Sequence, residues 1–176
     1  MNKNDLKRIK ENRKLPKDEL DGFWENFMWY FIVIFLIIIS LLRLSLESLN
    51  MKDYLFVIIM ITISLYTVWL KINDRNLSKI NSELKLSENK KMIEFFANNP
   101  KWILRENKKS YWEFTVTSIF KIPTHKLTII VLDKEVLFNF RNIGSFKGRA
   151  PFSFGMDTYH GIKFKRKVKN YVQHRI

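Results

Sequence analysis

Two stretches of this chain carry no charged side chain for seventeen residues each, and they constrain the fold more than any other feature. They are Asn26–Leu42 and Tyr54–Leu70, separated by eleven residues. A helix that crosses a bilayer core about 30 Å thick needs roughly 17–25 predominantly apolar residues. The large apolar side chains of the first stretch favour insertion by about 5 kcal/mol in total. The pattern predicts a transmembrane hairpin over residues 23–71, with spans at about 26–44 and 54–71.

A buried helical hairpin inside a soluble domain is the main alternative. Such helices are apolar along one stripe only, whereas both stretches are apolar all round. A cleaved signal peptide is disfavoured because its apolar region is shorter and ends at a small-residue cleavage site. Trp24, Trp29 and Tyr66 lie near the ends of the stretches, as aromatic residues at the lipid headgroup level do.

Basic residues flank the predicted hairpin on one side of the membrane. Seven Lys and Arg precede the first span, while the loop between the spans holds Arg43 and Lys52. Residues 71–176 carry 22 basic and 9 acidic side chains. The positive-inside rule therefore predicts that both termini are cytoplasmic. The composition, rich in Lys, Asn and Ile, suggests an AT-rich bacterial genome. Together with the two predicted spans, it leads us to expect a multi-pass protein of the bacterial cytoplasmic (inner) membrane.

The rest of the chain divides around the hairpin. Residues 1–22 are charged and almost free of large apolar groups, which predicts a basic cytoplasmic arm that is mobile or lies on a surface. Residues 72–176 are enough for one cytoplasmic domain with its own core. The chain has no cysteine, which excludes disulfides, cysteine nucleophiles and thiolate metal sites.

Helical spacing opens this domain. Leu77, Ile80 and Leu84 recur at helical intervals, which predicts a helical stalk that continues the second span. Ser87 is a candidate N-cap of a second short helix, which Asn98-Asn99-Pro100 would end.

After Pro100 the apolar period changes to two, which indicates strands. Trp112, Phe114 and Val116 share one face of the first run. A turn at Asp133-Lys134 would form a hairpin with a consistent register on one face. Its predicted pairs are Val131 with Val136, Ile129 with Phe138, and Leu127 with Phe140.

The last segment is compatible with two structures. Phe164, Val168 and Tyr171 fit a helical stripe, whereas Ile162 and Phe164 alone would fit a strand, and we favour a basic C-terminal helix. Phe152 and Phe154 are candidates for a last strand. The expected fold class is an α+β membrane protein: a two-helix transmembrane hairpin followed by an antiparallel β-rich cytoplasmic domain with flanking helices.

A glycine-rich loop is the first candidate site. Four of the five glycines lie between Gly144 and Gly161, and backbone N–H groups in such loops can bind phosphate. Arg141, Lys147 and Arg149 would add charge-assisted hydrogen bonds, so we predict that they bind an anionic ligand. The alternative is an ordinary turn with solvated charges, since the loop lacks the spacing of a Walker A motif.

The basic C-terminal segment is the second candidate site. Beside an anionic inner leaflet, each basic residue adds about 1 kcal/mol of attraction. We therefore predict that five of them contact the membrane surface: Lys163, Lys165, Arg166, Lys167 and Lys169. Nucleic acid is a disfavoured partner, because the aromatic residues that would stack on bases alternate in strands as core residues do.

Catalytic patterns are missing from the sequence. His125, His160 and His174 have no metal-ligand spacing, and His125 is expected to be solvated in a loop. Asp157 has no obvious partner. We therefore expect no enzymatic activity, no cofactor and no metal site. The expected partners are the lipid bilayer, anionic lipid headgroups, and a partner protein or further copies of the chain.

The layout of two adjacent spans and a β-rich domain closed by a helix resembles bacterial two-transmembrane proteins with a pleckstrin-homology-like cytoplasmic domain. It also resembles two-span, β-rich effectors of nucleotide-signalled antiphage defence. Both resemblances are architectural and cover the whole chain. The first implies a binding module for anionic lipid headgroups or a partner protein. The second implies, as the alternative, an effector that senses a phosphorylated small molecule of nucleotide type.

Overall fold

The computed structural model describes residues 8–9, 11–18, 22–45, 49–118, 123–143 and 156–174. These residues fall into two units. The helical unit lies within residues 18–74, and the sheet unit contains described residues from 1–17, 75–145 and 153–176. The described elements are four helices and five strands: α1 (Phe23–Leu44), α2 (Met51–Asn73), β1 (Ser78–Asn81), α3 (Leu86–Ala97), β2 (Trp102–Lys108), β3 (Tyr111–Thr117), β4 (Pro123–Val131), β5 (Glu135–Asn142) and α4 (Met156–Gln173).

Helices α1 and α2 pack against each other in antiparallel directions. Near the end of α1, Arg43 Nε donates to Asp53 Oδ1 in the first turn of α2 at 2.8 Å. At the opposite end of the pair, Lys71 Nζ of α2 lies 5.8 Å from the centre of the Trp29 ring of α1. Asn50 caps α2, because its side-chain oxygen accepts from Lys52 N at 2.9 Å and so satisfies a backbone donor of the first turn.

Hydroxyl groups in both helices are bonded within their own helix. Ser40 Oγ donates to Leu36 O at 2.8 Å, and Thr67 Oγ1 donates to Ile63 O at 2.7 Å. Thr62 and Ser64 make the same bond to the carbonyl four residues earlier. This pairing satisfies each hydroxyl without a partner helix, so these residues do not need the opposite helix to bury a polar group.

Helix α2 is long and apolar enough to cross a membrane, by its length and composition. In α1 the corresponding apolar stretch of described side chains is shorter and covers Trp29–Leu44. Among the described residues there is thus one candidate span, where the sequence predicts two. Large apolar side chains on both helices are exposed, among them Leu41 at 61 % and Leu65 at 67 %, which is compatible with membrane association.

The five strands form one antiparallel sheet in the order β1-β5-β4-β3-β2. The hairpin predicted around Asp133-Lys134 is confirmed, since β4 and β5 pair as expected: Val131 with Val136, Ile129 with Phe138, and Leu127 with Phe140. Lys134 sits in the turn with a φ of 60°, a conformation that the turn requires and glycine would adopt more easily. The period-two pattern therefore fixed both strands and their register.

The predicted helical stalk is wrong. Residues Ser78–Asn81 form β1, which pairs with β5 at the edge of the sheet, Ile80 opposite Val136. Four residues are too few for the period of a strand to be distinguished from that of a helix. In the structure Leu77 and Ile80 are buried on opposite faces of the sheet. The predicted last strand at Phe152 and Phe154 lies outside the described residues.

Helices α3 and α4 cover one face of the sheet. The core there contains Met92, Phe114, Ile129 and Phe164, all of them 0–1 % exposed. Both helices were expected from apolar spacing, including the C-terminal helix. Buried Asn89 fixes α3 to the β4–β5 turn, because its Nδ2 donates to Leu132 O at 2.9 Å.

The N-terminal arm covers part of the opposite face. Ile9 and Leu15 are 2 % and 6 % exposed and pack with Leu77, Ile130 and Leu137, among others. The backbone of the arm is also hydrogen-bonded to the rest of the unit, because Leu15 N donates to Arg75 O at 2.9 Å. The described part of the arm is therefore not a mobile segment; its two apolar residues, few as they are, belong to the core.

We expect Leu15→Ala to destabilise the sheet unit by about 2–5 kcal/mol, because a buried leucine is truncated and leaves a cavity. Lys17→Ala, at an exposed position two residues away, should have little effect. Thermal unfolding and hydrogen exchange of the full chain in neutral detergent measure both. Equal stability of the two variants would show that the arm does not contribute to the core.

Candidate functional site

A cavity of about 360 Å³ lies among the start of α4, the ends of β3 and β4, and the turn between α3 and β2. We call it the histidine cavity and define it by five basic side chains and three aromatic ones: His125, His160, Lys101, Lys163, Lys167, Trp102, Phe140 and Phe164. All of these residues belong to the sheet unit. The cavity therefore combines a cationic rim with an aromatic wall.

His125 lies in β4 and is 5 % exposed, so the expectation of a solvated loop position is wrong. Asp157 Oδ1 of α4 lies 3.0 Å from His125 Nε2. That contact is not a well-aligned hydrogen bond, and Nδ1 makes no hydrogen bond to any residue that the structure describes. A buried imidazole thus borders the cavity with unused hydrogen-bonding capacity, which costs stability.

His160 lies one turn before Phe164 on α4 and packs against His125 of β4 and Phe140 of β5. Its ring centre lies 4.6 Å from that of His125 and 5.6 Å from that of Phe140. Burial lowers the pKa of His160, and the neighbouring His125 lowers it further, against the opposing effect of Asp157. Lys163 and Lys101 add smaller contributions that lower the pKa, so positive charge already accumulates around this imidazole.

Two of the lysines are held over aromatic rings. Lys167 Nζ lies 5.8 Å from the centre of the Trp102 ring, and Lys163 Nζ lies 5.9 Å from that of Tyr159. Cation–π contacts of this kind orient an ammonium group without neutralising it. Lys101 is placed by the chain turn, in which its backbone carbonyl accepts from Thr117 N at 2.8 Å.

The structure separates the five basic residues predicted for the membrane surface. Lys163 and Lys167 line the histidine cavity. Lys165, Arg166 and Lys169 are exposed on other sides of α4, beside the exposed Tyr159 and Ile162. We call this second set, Lys165, Arg166 and Lys169, the basic face of α4. Asp157 is the only acidic residue of the helix, so no carboxylate of α4 neutralises that face.

Arg141 does not lie where the anion-binding loop was predicted to place it. It is 0 % exposed and sits in β5 next to Phe140, whose side chain joins the core on the helix-covered face. Because side chains alternate along a strand, Arg141 points to the opposite face. Lys147 and Arg149 lie outside the described residues, so the structure does not bring the three predicted ligand residues together.

A polar layer occupies that opposite face near Arg141. Lys126, the strand neighbour of Arg141, forms an ion pair with Glu113 at 3.0 Å. Tyr111 Oη donates to the same carboxylate at 2.7 Å. Burial and the Glu113 charge raise the pKa of Tyr111 far above its ordinary value, so the phenol stays protonated and serves as a structural donor.

An apolar groove lies between α3 and α4. Phe95, 63 % exposed, contacts Tyr171 at a ring-centre distance of 5.8 Å. Asn98, Pro100 and His174 complete its border. Exposed apolar surfaces can mark protein contacts, and the expected protein partner remains a prediction.

Two patterns in the sequence indicate the positions of the cavity histidines: the strand period for His125 and the helical period for His160. His125 has the same parity as Leu127, Ile129 and Val131, so the strand period places it on the core face. His160 precedes Phe164 by four residues, so the helical period places it on the buried stripe. Among the residues that the structure describes, no three His, Asp or Glu side chains form a group that could hold a metal ion.

Acidification should destabilise the folded protein through His160. Its pKa is lowered by folding, so its contribution is complete above the ordinary value of about 6.5 and is lost as the pH falls below that value. His160→Phe keeps an aromatic ring and removes the titration. We expect the variant to lose less thermal stability than the wild type between about pH 7.5 and about pH 5.5.

His174→Phe, a change at an exposed histidine just beyond α4, is the matched control and should follow the wild type. Identical pH profiles for the wild type and His160→Phe would contradict the prediction that titration of His160 lowers stability at acidic pH.

The functional interpretation rests on this chain's own residues. Comparison with protein families, with characterised proteins and with solved structures finds no match. The architectural resemblance to two-transmembrane proteins with a pleckstrin-homology-like domain therefore stays an expectation.

Proposed function

We propose that the chain is a two-span protein of the bacterial cytoplasmic membrane whose sheet unit binds anionic lipid headgroups through the basic face of α4. The observation that carries the headgroup assignment is the exposure of Lys165, Arg166 and Lys169 on one helix. The only carboxylate of that helix, Asp157, is engaged with His125.

The position of the arm supports an even number of spans. Described residues on both sides of the helical unit belong to the sheet unit, and Leu15 N donates to Arg75 O at 2.9 Å. A folded unit lies on one side of a bilayer, so the chain between these residues has to cross an even number of times. If α2 spans the membrane, α1 spans it as well.

The charge distribution supports a cytoplasmic location of the sheet unit. Short basic segments next to spans are retained in the cytoplasm, and the arm and the sheet unit hold most of the basic residues. Next to the link between α1 and α2 lie Arg43, at the end of α1, and Lys52, in the first turn of α2, and Arg43 pairs with Asp53. This link would lie on the outer side.

Because the chain has no cysteine, single cysteines can report its topology. We expect Ser45→Cys, at the exposed end of α1, to react with a membrane-impermeant maleimide in intact cells. Gln173→Cys, at the end of α4, should react only after the cells are opened. Labelling of Gln173→Cys in intact cells would place the sheet unit outside and refute the proposed topology.

Headgroup binding is a matter of surface electrostatics. Each basic residue close to an anionic leaflet adds about 1 kcal/mol, and the attraction decays within about one Debye length. Tyr159 and Ile162, 55 % and 48 % exposed on the same helix, can enter the headgroup layer beside the charges. Three such charges give weak, salt-sensitive contact, which a membrane anchor makes effectively permanent.

This contact can be measured on the full chain in lipid nanodiscs. A polarity-sensitive fluorophore on Gln173→Cys should shift its emission to the blue in phosphatidylglycerol discs but not in phosphatidylcholine discs. Added salt should reverse the shift. The triple change Lys165→Gln, Arg166→Gln and Lys169→Gln should abolish it.

The matched control removes the same charge elsewhere, through Lys85→Gln, Lys91→Gln and Lys134→Gln at exposed positions. Its emission should respond to lipid charge as the unmodified protein does. Equal emission in both lipids, or equal loss in both triple variants, would refute headgroup binding by the basic face of α4.

The alternative expectation, a sensor of a phosphorylated small molecule through Arg141, Lys147 and Arg149, gains no support from Arg141, which is buried on the other face. A different part of the sheet unit, the histidine cavity, has the chemistry that such a ligand needs.

A further inference from the structure

We propose that the histidine cavity is a binding site for the phosphate group of a phosphate monoester. The site does not overlap the basic face of α4, and it needs no contact with a bilayer. It therefore goes beyond the proposed headgroup contact, and either assignment can fail without the other.

The charge of the cavity selects an anion. Three lysines, Lys101, Lys163 and Lys167, and two histidines line it. The carboxylate that belongs to this corner is Asp157, which is engaged with His125. Lysine and protonated histidine are donors only, and an oxyanion both accepts their hydrogen bonds and compensates their charge, which a cationic or neutral ligand does not.

His125 supplies the observation that points to a ligand. Its side chain is 6 % exposed, and its Nδ1 has no hydrogen-bond partner among the described residues. An anion in the cavity could accept a hydrogen bond from Nδ1–H. The incoming oxygen would remove the cost of the unpaired nitrogen.

His160 makes binding depend on protons. Its neutral form is favoured in the unliganded cavity by burial, by His125 and by two lysines, Lys163 and Lys101. An anion between these groups reverses that electrostatic balance, so binding should be accompanied by proton uptake at His160. Asp157 already raises the pKa of His160 and would assist this proton uptake.

The wall of the cavity indicates an ester rather than a free ion. Trp102 and Phe164 lie with ring centres 6.0 Å apart, and Phe140 and Phe164 lie with ring centres 6.2 Å apart. A cavity of about 360 Å³ has room for a phosphate group together with a small apolar or cyclic substituent packed on these rings.

Sulfate tests the proton linkage cleanly, because its own charge stays constant over the range used. The full chain in neutral detergent should be stabilised by millimolar sulfate more strongly at about pH 6 than at about pH 7.5, with an affinity about three- to tenfold higher. His160→Phe should keep binding at the higher pH and lose most of the increase. An affinity that does not change with pH would overturn the proposed coupling between anion binding and proton uptake at His160.

Phenyl phosphate and inorganic phosphate test the ligand class. We expect phenyl phosphate to bind more tightly, because the aromatic wall contacts its ring. Lys163→Gln with Lys167→Gln should weaken binding at least about tenfold, as the loss of two charged contacts predicts. Lys165→Gln with Lys169→Gln removes the same charge from the same helix outside the cavity and should leave binding unchanged.

Equal weakening by the two double variants, or no binding of either phosphate at millimolar concentration, would overturn the proposal. Equal affinities for the two phosphates would overturn the assignment of an ester. Nanodiscs then separate the sources of the ligand: competition of phosphatidic acid with phenyl phosphate supports a lipid monoester, and its absence supports a soluble one.

Discussion

The hydrogen bond from Leu15 N to Arg75 O, 2.9 Å long, joins the two chain segments that flank the helical unit. Around it, Ile9 and Leu15 bury against the sheet that the rest of the chain builds. The sheet unit is thus not a domain appended after the helices, since its core needs residues from before them. Folding of the sheet and pairing of α1 with α2 are consequently coupled through chain connectivity.

Two-sided burial of the central strands explains why the arm is needed. In β4 six of nine residues and in β5 six of eight are buried, and they lie on both faces, unlike the one-sided strands of a typical antiparallel sheet. Helices α3 and α4 cover one face with a mostly apolar core. The other face is apolar where the arm packs and polar near Arg141, where Lys126 pairs with Glu113 and Tyr111 donates to the same carboxylate. The same sheet therefore holds charged groups on one face and the histidine cavity at the margin of the other.

Sequence periodicity predicted the long and regular elements and failed where elements are short or residues are few. The β4–β5 hairpin follows from alternation over several residues, and its register is determined because a slip of one residue would expose the apolar face. Four residues of β1 carry no comparable information, and the spacing of Leu77, Ile80 and Leu84 fits a helix equally well. Ile9 and Leu15 are two apolar residues in a charged segment. Their burial depends on an apolar part of the sheet surface, which the sequence of the segment itself does not show. His125 was misassigned because its neighbour Pro123 suggested a loop, although β4 begins at that proline.

Histidines at buried positions have a cost that the fold does not require. A leucine or phenylalanine at position 125, between Val116 and Asn142 in the sheet, would add apolar contact without an unpaired ring nitrogen. His160 likewise occupies a stripe position that Phe164 and Val168 fill with apolar groups in the following turns. Both imidazoles lie within 4.6 Å of each other, centre to centre, and two lysines of α4, Lys163 and Lys167, line the same cavity. Concentrating like charges there lowers stability, and the proposed role of the cavity as a preorganised receptor for negative charge accounts for that cost.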